Sequence, residues 1–207
     1  MPEKILKLNL NAKICLNFDE NATKFCEIQP IMLSLEIVEE SNIHMNESHK
    51  GTNIEIVNFS SELRTHFERL NRGWIERQFE MEPLDYLLLQ NPETEIIEKG
   101  GAVLFAVASR GEVVGTAALK NEGEGVYELS KMAVDEESRG LGIGKALGLA
   151  ALDRVRKMGA VKVILYTNSA LEPAINLYRK LGFIDVPVTE KGYTRADVKM
   201  EIEFKVN

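Results

Sequence analysis

Three sets of residues in this 207-residue chain have types and spacings that could do chemistry. The first is the stretch ESRGLGIGKAL, residues 137–147, where Gly140, Gly142 and Gly144 alternate with Leu141 and Ile143 between two cations, Arg139 and Lys145. Alternating glycines are a costly way to begin a helix, since each loses more backbone freedom on ordering than alanine would. What they supply is access. With no β-carbon in the way, main-chain N–H groups at a helix N-terminus can close on the oxygens of an anion. The flanking cations suit a diphosphate. The second set is Tyr178, a phenol able to give up a proton, and the third is Glu128, a carboxylate able to take one.

Residue type alone leaves each of these open. The loop would also serve as a flexible helix start with no ligand, and Tyr178 as a core ring with its hydroxyl in water. Glu128 would equally suit a strand position in a cross-strand ion pair. Two well-known phosphate loops are excluded. The nucleotide-triphosphatase loop needs Ser or Thr after its lysine, and here Ala146 follows Lys145, which also disfavours a protein that uses the loop for ATP. The dinucleotide fingerprint needs glycines at G-x-G-x-x-G, and here they fall at 140, 142 and 144.

The elements that must position these residues follow from periodicity. Alternating or continuous apolar runs predict strands over residues 54–58, 102–109, 112–120, 127–134, 161–166, 183–186 and 197–204. Ser60 or Ser61 is the expected N-cap of an amphipathic helix with Leu63, Phe67, Leu70 and Trp74 on one face. Pro83 opens a second, shorter helix that Asn91-Pro92 closes. One helix runs from the glycine loop to about residue 158 and another covers 170–181. An initial β-α unit followed by ββ-β-α-β-α-ββ predicts a mixed sheet covered by helices, an α/β architecture. Strand alternation puts Glu128, Ser130, Met132 and Val134 on one face, so Glu128 is expected to look along the sheet toward the site.

Residues 1–52 read differently from the rest. They are rich in Asn and Glu, with strand-like alternation over 6–16 and 31–37 and a polar, linker-like stretch over 39–51. A hairpin added to a sheet edge and a segment that pairs with a partner fit equally. The organisation expected is an N-terminal extension, 1–52, and one domain, 53–207.

Composition bounds the function. With 44% hydrophobic and 28% charged residues the chain can bury a real core. A net charge of −7 excludes a general nucleic-acid binder and mildly suits a cationic partner. Cys15 and Cys26 are the two cysteines, too few for a disulfide framework or a structural metal site, so a reducing cytoplasm is the expected setting. His44 and His49 sit five apart on a polar segment, and no metal is expected there. The first residues lack the apolar core of a signal peptide, and no run is long enough to cross a bilayer, so no membrane partner is expected.

Two motifs together resemble the GCN5-related N-acetyltransferases, the GNAT superfamily. Residues 134–147 are similar to that family's acyl-coenzyme A loop, Arg/Gln-x-x-Gly-x-Gly/Ala, here Arg139, Gly142 and Gly144. Residues 168–183, NSALEPAINLYRKLGF, resemble its second signature, with Asn168 after a strand, Tyr178 in the next helix and Gly182-Phe183 opening a strand. The motifs occur in the family's order and at its spacing, and the resemblance covers residues 53–205.

The resemblance implies the GNAT-like acyl-CoA N-acyltransferase fold, a mixed sheet flanked by helices. It also implies transfer of an acetyl group from the co-substrate acetyl-CoA to a primary amine, by direct attack in a ternary complex. Two neighbouring parallel strands would splay, and the pantetheine arm would bond to main-chain groups of Met132, Ala133 and Val134, one N–H there polarising the thioester carbonyl. Amides of Arg139, Gly140, Leu141, Gly142, Ile143 and Gly144, with Lys145 beside them, would hold the diphosphate. Asn168 would orient the cofactor's amide or a water, though an ordinary loop asparagine would look the same. Tyr178 would be the general acid; a thiol of pKa about 8.5 is already a tolerable leaving group, so its contribution should be moderate.

The base is the harder assignment. An alkyl ammonium of pKa about 10.4 costs roughly 4–5 kcal/mol to deprotonate at neutral pH. Glu128, six residues before Val134, matches the position where some family members carry a basic glutamate, and a water relay is the alternative. The acceptor, a small-molecule or peptide amine, would be recognised by residues 61–99, whose acidic side chains would steer a cation or simply solvate a helix face. Homodimers are common in the family. A second class of function, a non-catalytic acyl-CoA-binding sensory or regulatory module, would keep the glycine loop too; Tyr178 and Glu128 favour the enzyme.

Overall fold

Among the described residues one seven-stranded sheet forms in the order β1-β2-β3-β4-β5-β7-β6. The computed structural model describes residues 53–189 and 192–205; the expectations for residues 1–52, Cys15, Cys26, His44 and His49 among them, lie outside that range. The strands are β1 (Ile54–Asn58), β2 (Ala102–Ala108), β3 (Val113–Gly123), β4 (Val126–Val134), β5 (Lys162–Thr167), β6 (Ile184–Val186) and β7 (Val198–Glu203). The helices are α1 (Arg64–Gln78), α2 (Pro83–Gln90), α3 (Ile143–Lys157) and α4 (Glu172–Lys180). Element order and type follow the periodicity reading. None of the described helices is long and apolar enough to cross a membrane.

Alternation on β2 explains the two layers. Ala102, Leu104 and Ala106 point to the face covered by α3, where they join Ile143, Leu147, Ala151 and Val155, and α4 adds Ile175. Val103 and Phe105 point the other way, against Phe67, Leu70 and Ile75 of α1 and Leu88 and Leu89 of α2. Full burial of each such side chain is worth about 1.5–3 kcal/mol, so both helix pairs are held to the sheet mainly by apolar area.

One helix start differs from expectation. Ser60 leads into a single 3₁₀ turn, Ser61–Leu63, and makes no side-chain capping bond. The Leu63 N–H instead bonds to the Ser60 carbonyl at 3.0 Å, so main chain satisfies the turn and α1 begins at Arg64. At α2, Asp85 accepts the Glu82 N–H at 2.8 Å as half of a capping box, with Pro83 in the first turn.

Every strand pair is antiparallel except β4–β5, which is parallel and short: Val126↔Lys162, Tyr127↔Val163 and Glu128↔Ile164. Beyond that point the two strands keep only their outer partners. β4 continues beside β3 as far as Val134↔Gly115, and β5 beside β7 as far as Thr167↔Val198. A gap therefore opens in the middle of the sheet, bordered by main chain.

Candidate active site

The border of the gap is shaped by one irregularity in β4. Thr116 pairs with Ala133 but Ala118 pairs with Ser130, so one residue of β3, Ala117, faces two of β4, Lys131 and Met132. The extra residue is Lys131, whose φ of +47° lies in the left-handed region. Its effect on side-chain direction corrects the alternation reading. Tyr127, Leu129, Met132 and Val134 all belong to the core under α3 and α4, whereas Ala133 belongs to the opposite core. Glu128 and Ser130 do not share a face with Met132 and Val134: the bulge inserts one residue and inverts the alternation after it.

Main-chain direction past the bulge is fixed as well. The Asp135 N–H donates to the Val114 carbonyl at 2.8 Å, toward β3. Alternation then turns the amides of Val134 and Met132 the other way, into the gap. Ala133 is buried, so its side chain belongs to packing, and the same alternation directs its main-chain groups to β3 rather than into the opening.

The glycine loop lies at the end of this border. Gly142, with φ +81°, is the N-cap of α3 and provides no side-chain capping bond; a residue with a β-carbon would be strained in that left-handed conformation. Among the described residues the first amides of α3 have no side-chain partner, and the helix dipole adds positive potential. Arg139 and Lys145 are exposed beside them, and Ile143 is a core side chain whose contribution is its N–H. This donor set fits a diphosphate. α1 steadies the loop's start: Arg69 binds Asp135 at 3.0 Å and the Val113 carbonyl at 2.9 Å, and Arg77 binds Glu136 at 3.1 Å. Glu136 also holds Arg139 at 3.3 Å.

Close packing brings loop, strand and α4 together. A β-carbon at position 144 would lie 3.2 Å from Leu177 Cδ2, 3.8 Å from Val134 Cγ2 and 3.9 Å from Met132 Cε. Tyr178 follows Leu177, packs on the same core, and meets Phe183 edge-on at 6.1 Å between ring centroids. Among the described residues its hydroxyl has no hydrogen-bond partner, and burial pushes its pKa up to about 12, which keeps the phenol protonated. Asn168 spends both ends of its amide inside the protein: Nδ2 donates to the Arg195 carbonyl at 2.6 Å, and Oδ1 accepts the Ala170 N–H at 2.9 Å.

Glu128 sits on the opposite face, where the gap begins, and is only 6% exposed. Lys120 bonds its carboxylate at 2.8 Å and also reaches Glu122 at 2.9 Å. Burial pushes the Lys120 ammonium's pKa down, but the charges and hydrogen bonds of Glu128 and Glu122 together more than offset it and the net direction is up. Ser130 Oγ, further along that face, is buried with no hydrogen-bond partner among the described residues.

Beside Glu128 the structure assembles an ionic cluster that sequence reading missed. Asp85 is 0% exposed and Lys131 7% exposed. Lys131 Nζ lies 2.5 Å from Asp85 Oδ1 and donates to Tyr193 Oη at 2.7 Å. Arg195 grips both Asp85 oxygens at 2.7 and 2.8 Å and Glu82 at 3.1 Å, and Glu82 accepts the N–H groups of Thr194 and Arg195. Burial raises the Asp85 carboxyl, yet Arg195 and Lys131 outweigh it and hold it below its ordinary value. For Lys131 burial wins and its pKa falls. Two signals were available in the sequence: Glu82 and Asp85 at capping-box spacing, and a lysine inside an otherwise apolar strand run. Among the described residues no group of three or more His, Cys, Asp or Glu could hold a metal ion.

Comparison with known proteins agrees with this geometry. A sequence profile described as the Acetyltransferase (GNAT) family matches residues 63–183, more than half of the chain. The uncharacterized N-acetyltransferase YjgM of Escherichia coli (strain K12) is 34% identical over 111 residues, 51% of this chain and 66% of its own length, so the chain spans just under two thirds of that relative. A GNAT-family acetyltransferase structure from Staphylococcus aureus Mu50 superposes with a TM-score of 0.67 at 20% identity, covering 73% of this chain and 99% of that one. A phosphinothricin acetyltransferase from Sinorhizobium meliloti, solved in complex with acetyl-CoA, gives 0.61 at 22% identity, covering 72% and 88%. At these identities the structural likeness speaks for the fold.

Proposed function

The chain belongs to the GNAT acetyltransferase family, and on that footing we propose that it transfers an acetyl group from acetyl-CoA to a primary amine by direct attack in a ternary complex. The observation that carries the reading is the opening between β4 and β5, bordered by inward-turned amides and ending at an uncapped, glycine-built helix start. As co-substrate, acetyl-CoA supplies the thioester carbonyl and a thiolate leaving group.

The chain's own residues then divide the work. Amides from Arg139 to Gly144, with Lys145, bind the diphosphate and fix the reach of the thioester. The Met132 and Val134 amides orient the pantetheine arm, and one of them polarises the carbonyl as negative charge develops on its oxygen. Tyr178, neutral at all physiological pH, donates its proton to the departing sulfur. Asn168 serves by tying the end of β5 to the loop that carries Tyr193 and Arg195.

Glu128 is the proposed base. Its burial and its bond to Lys120 favour a water between it and the amine, and the unpartnered Ser130 hydroxyl on the same face is the group to hold that water. The acceptor is a small-molecule or peptide amine, and a reducing cytoplasm is the proposed setting. The test is to incubate the protein with acetyl-CoA and a panel of primary amines and follow free thiol. Amine-dependent thiol release supports the proposal. Tight acetyl-CoA binding with no release across the panel overturns it in favour of a sensory module.

A further inference from the structure

Lys131 carries a conformation that its own chemistry does not favour. A left-handed φ is natural to glycine, and to Asn or Asp through local hydrogen bonds, but a lysine gains nothing from it. Such a residue persists only where its surroundings over-determine it. The other described non-glycine with positive φ, Glu124, lies in the tight turn between β3 and β4, where a reversal of chain direction accounts for it. Lys131 is in the middle of a strand.

The surroundings that hold it come from two other parts of the chain. Asp85 of α2 lies 2.5 Å from Nζ, and Tyr193 of the β6–β7 connection accepts a hydrogen bond at 2.7 Å, its ring centroid 4.4 Å from the ammonium. The far end of this strut is held at several points. Asp85 is also clamped by both guanidinium nitrogens of Arg195 and by the Glu82 N–H, and Gly192 packs so closely on Leu84 that a β-carbon there would meet it at 3.3 Å. The strut pulls on the one residue by which β4 exceeds β3, immediately before the amides that turn into the gap.

We propose that Lys131 is a positioning residue: its ion pair with Asp85 and its bond to Tyr193 hold the bulge in β4, and the bulge aims the Met132–Val134 main chain into the gap. The functional consequence rests on the acetyl-transfer reading; the structural claim does not. Without the strut, β4 can relax toward regular pairing with β3, and the amides that border the gap rotate away. The diphosphate loop is steadied separately by Arg69 and Arg77 of α1, so cofactor binding should survive.

Lys131→Met and Lys131→Gly separate this role from plain stability. In Lys131→Met, Asp85 keeps its two-point contact with Arg195, so no buried charge is left alone and the protein should fold. The expected result is a kcat lowered about 100-fold, the scale of an angstrom-sized misplacement, with acetyl-CoA affinity by calorimetry changed less than about threefold. Glycine adopts the same φ without a strut, so Lys131→Gly should regain most of the lost kcat although its unfolded chain is freer. A merely structural lysine gives the reverse order, with glycine the worse variant and no split between kcat and affinity. Wild-type kcat in Lys131→Met, or Lys131→Gly no better than Lys131→Met, overturns the proposal.

A second measurement needs no turnover. Amide hydrogen exchange at Met132 and Val134 in the free protein should slow in Lys131→Met, as these amides leave the gap for pairing with β3, and return toward wild type in Lys131→Gly; equal exchange in all three overturns the proposal. If wild-type protein turns over no amine, the transfer reading fails, and the exchange result decides the strut independently. If Lys131→Met does not fold, Tyr193→Phe removes one bond of the strut while keeping the ring. Slower exchange at Met132 in that variant supports the proposal, and unchanged exchange overturns it.

Discussion

The two faces of the sheet contribute to the site in different materials. Toward the α3–α4 side the candidate machinery is main chain: amides of Met132 and Val134 in the gap, whose side chains pack on that face, and a helix start opened by Gly142. On the α1–α2 face it is side chains: Glu128 with Lys120, and Asp85 with Lys131, Tyr193 and Arg195. Main-chain donors are set by a short contiguous stretch and tolerate changes of side chain. A buried ionic cluster draws on positions 82, 85, 131, 193 and 195, and each member answers for the charge of the others.

That contrast predicts where the molecule is fragile. Replacing Asp85 with Ala leaves Lys131 and Arg195 buried without their common partner, so a loss of roughly 3–5 kcal/mol is expected in denaturant unfolding. A loss no greater than that of a surface substitution would mean the cluster is dispensable. The same asymmetry has a pH signature. Asp85 is held below its ordinary value of 3.8, so its contribution is present above that value and is lost as pH falls through the lowered native one. The wild-type unfolding midpoint should therefore drop across acid pH, and that of Asp85→Asn should drop less.

Function on the side-chain face should be the next most sensitive. Glu128→Gln keeps shape and removes the proposed base, and kcat should fall about 100-fold with acetyl-CoA affinity unchanged. A variant at wild-type rate removes Glu128 from the mechanism. On the main-chain face, Gly142→Ala adds a β-carbon at φ +81° and should cost roughly 1–2 kcal/mol of stability while weakening coenzyme A binding. Gly140→Ala makes a useful companion, since a β-carbon there has no atom within 4 Å and only the φ of +78° opposes it. The smallest effect is expected at Tyr178. Because a thiolate leaves readily, Tyr178→Phe should slow turnover only about tenfold, with cofactor affinity nearly unchanged, and equal turnover would assign the proton to water.

Legibility in the sequence follows the same division. The seven strands and four helices could be read because each has its own apolar period, and the glycine loop because its donors are consecutive. The relation of Glu128 to Met132 could not. Strict alternation puts them on one face, and only the extra residue at Lys131, held from α2 and the β6–β7 connection, separates them. Asn168 shows the converse: its position after a strand was plain, but the bond that fixes it reaches across 27 residues to the Arg195 carbonyl. Charged residues that meet across such distances leave no periodic trace.

Everything on the cofactor side depends on main-chain amides at residues 139–144 holding a diphosphate. Calorimetry with coenzyme A and, in parallel, with pantetheine, which lacks that group, tests this most directly. One molecule of coenzyme A should bind per chain, with pantetheine weaker by about 100-fold or more, as loss of several charge-assisted hydrogen bonds requires. Equal binding of the two, or no coenzyme A binding by folded protein, would contradict the account.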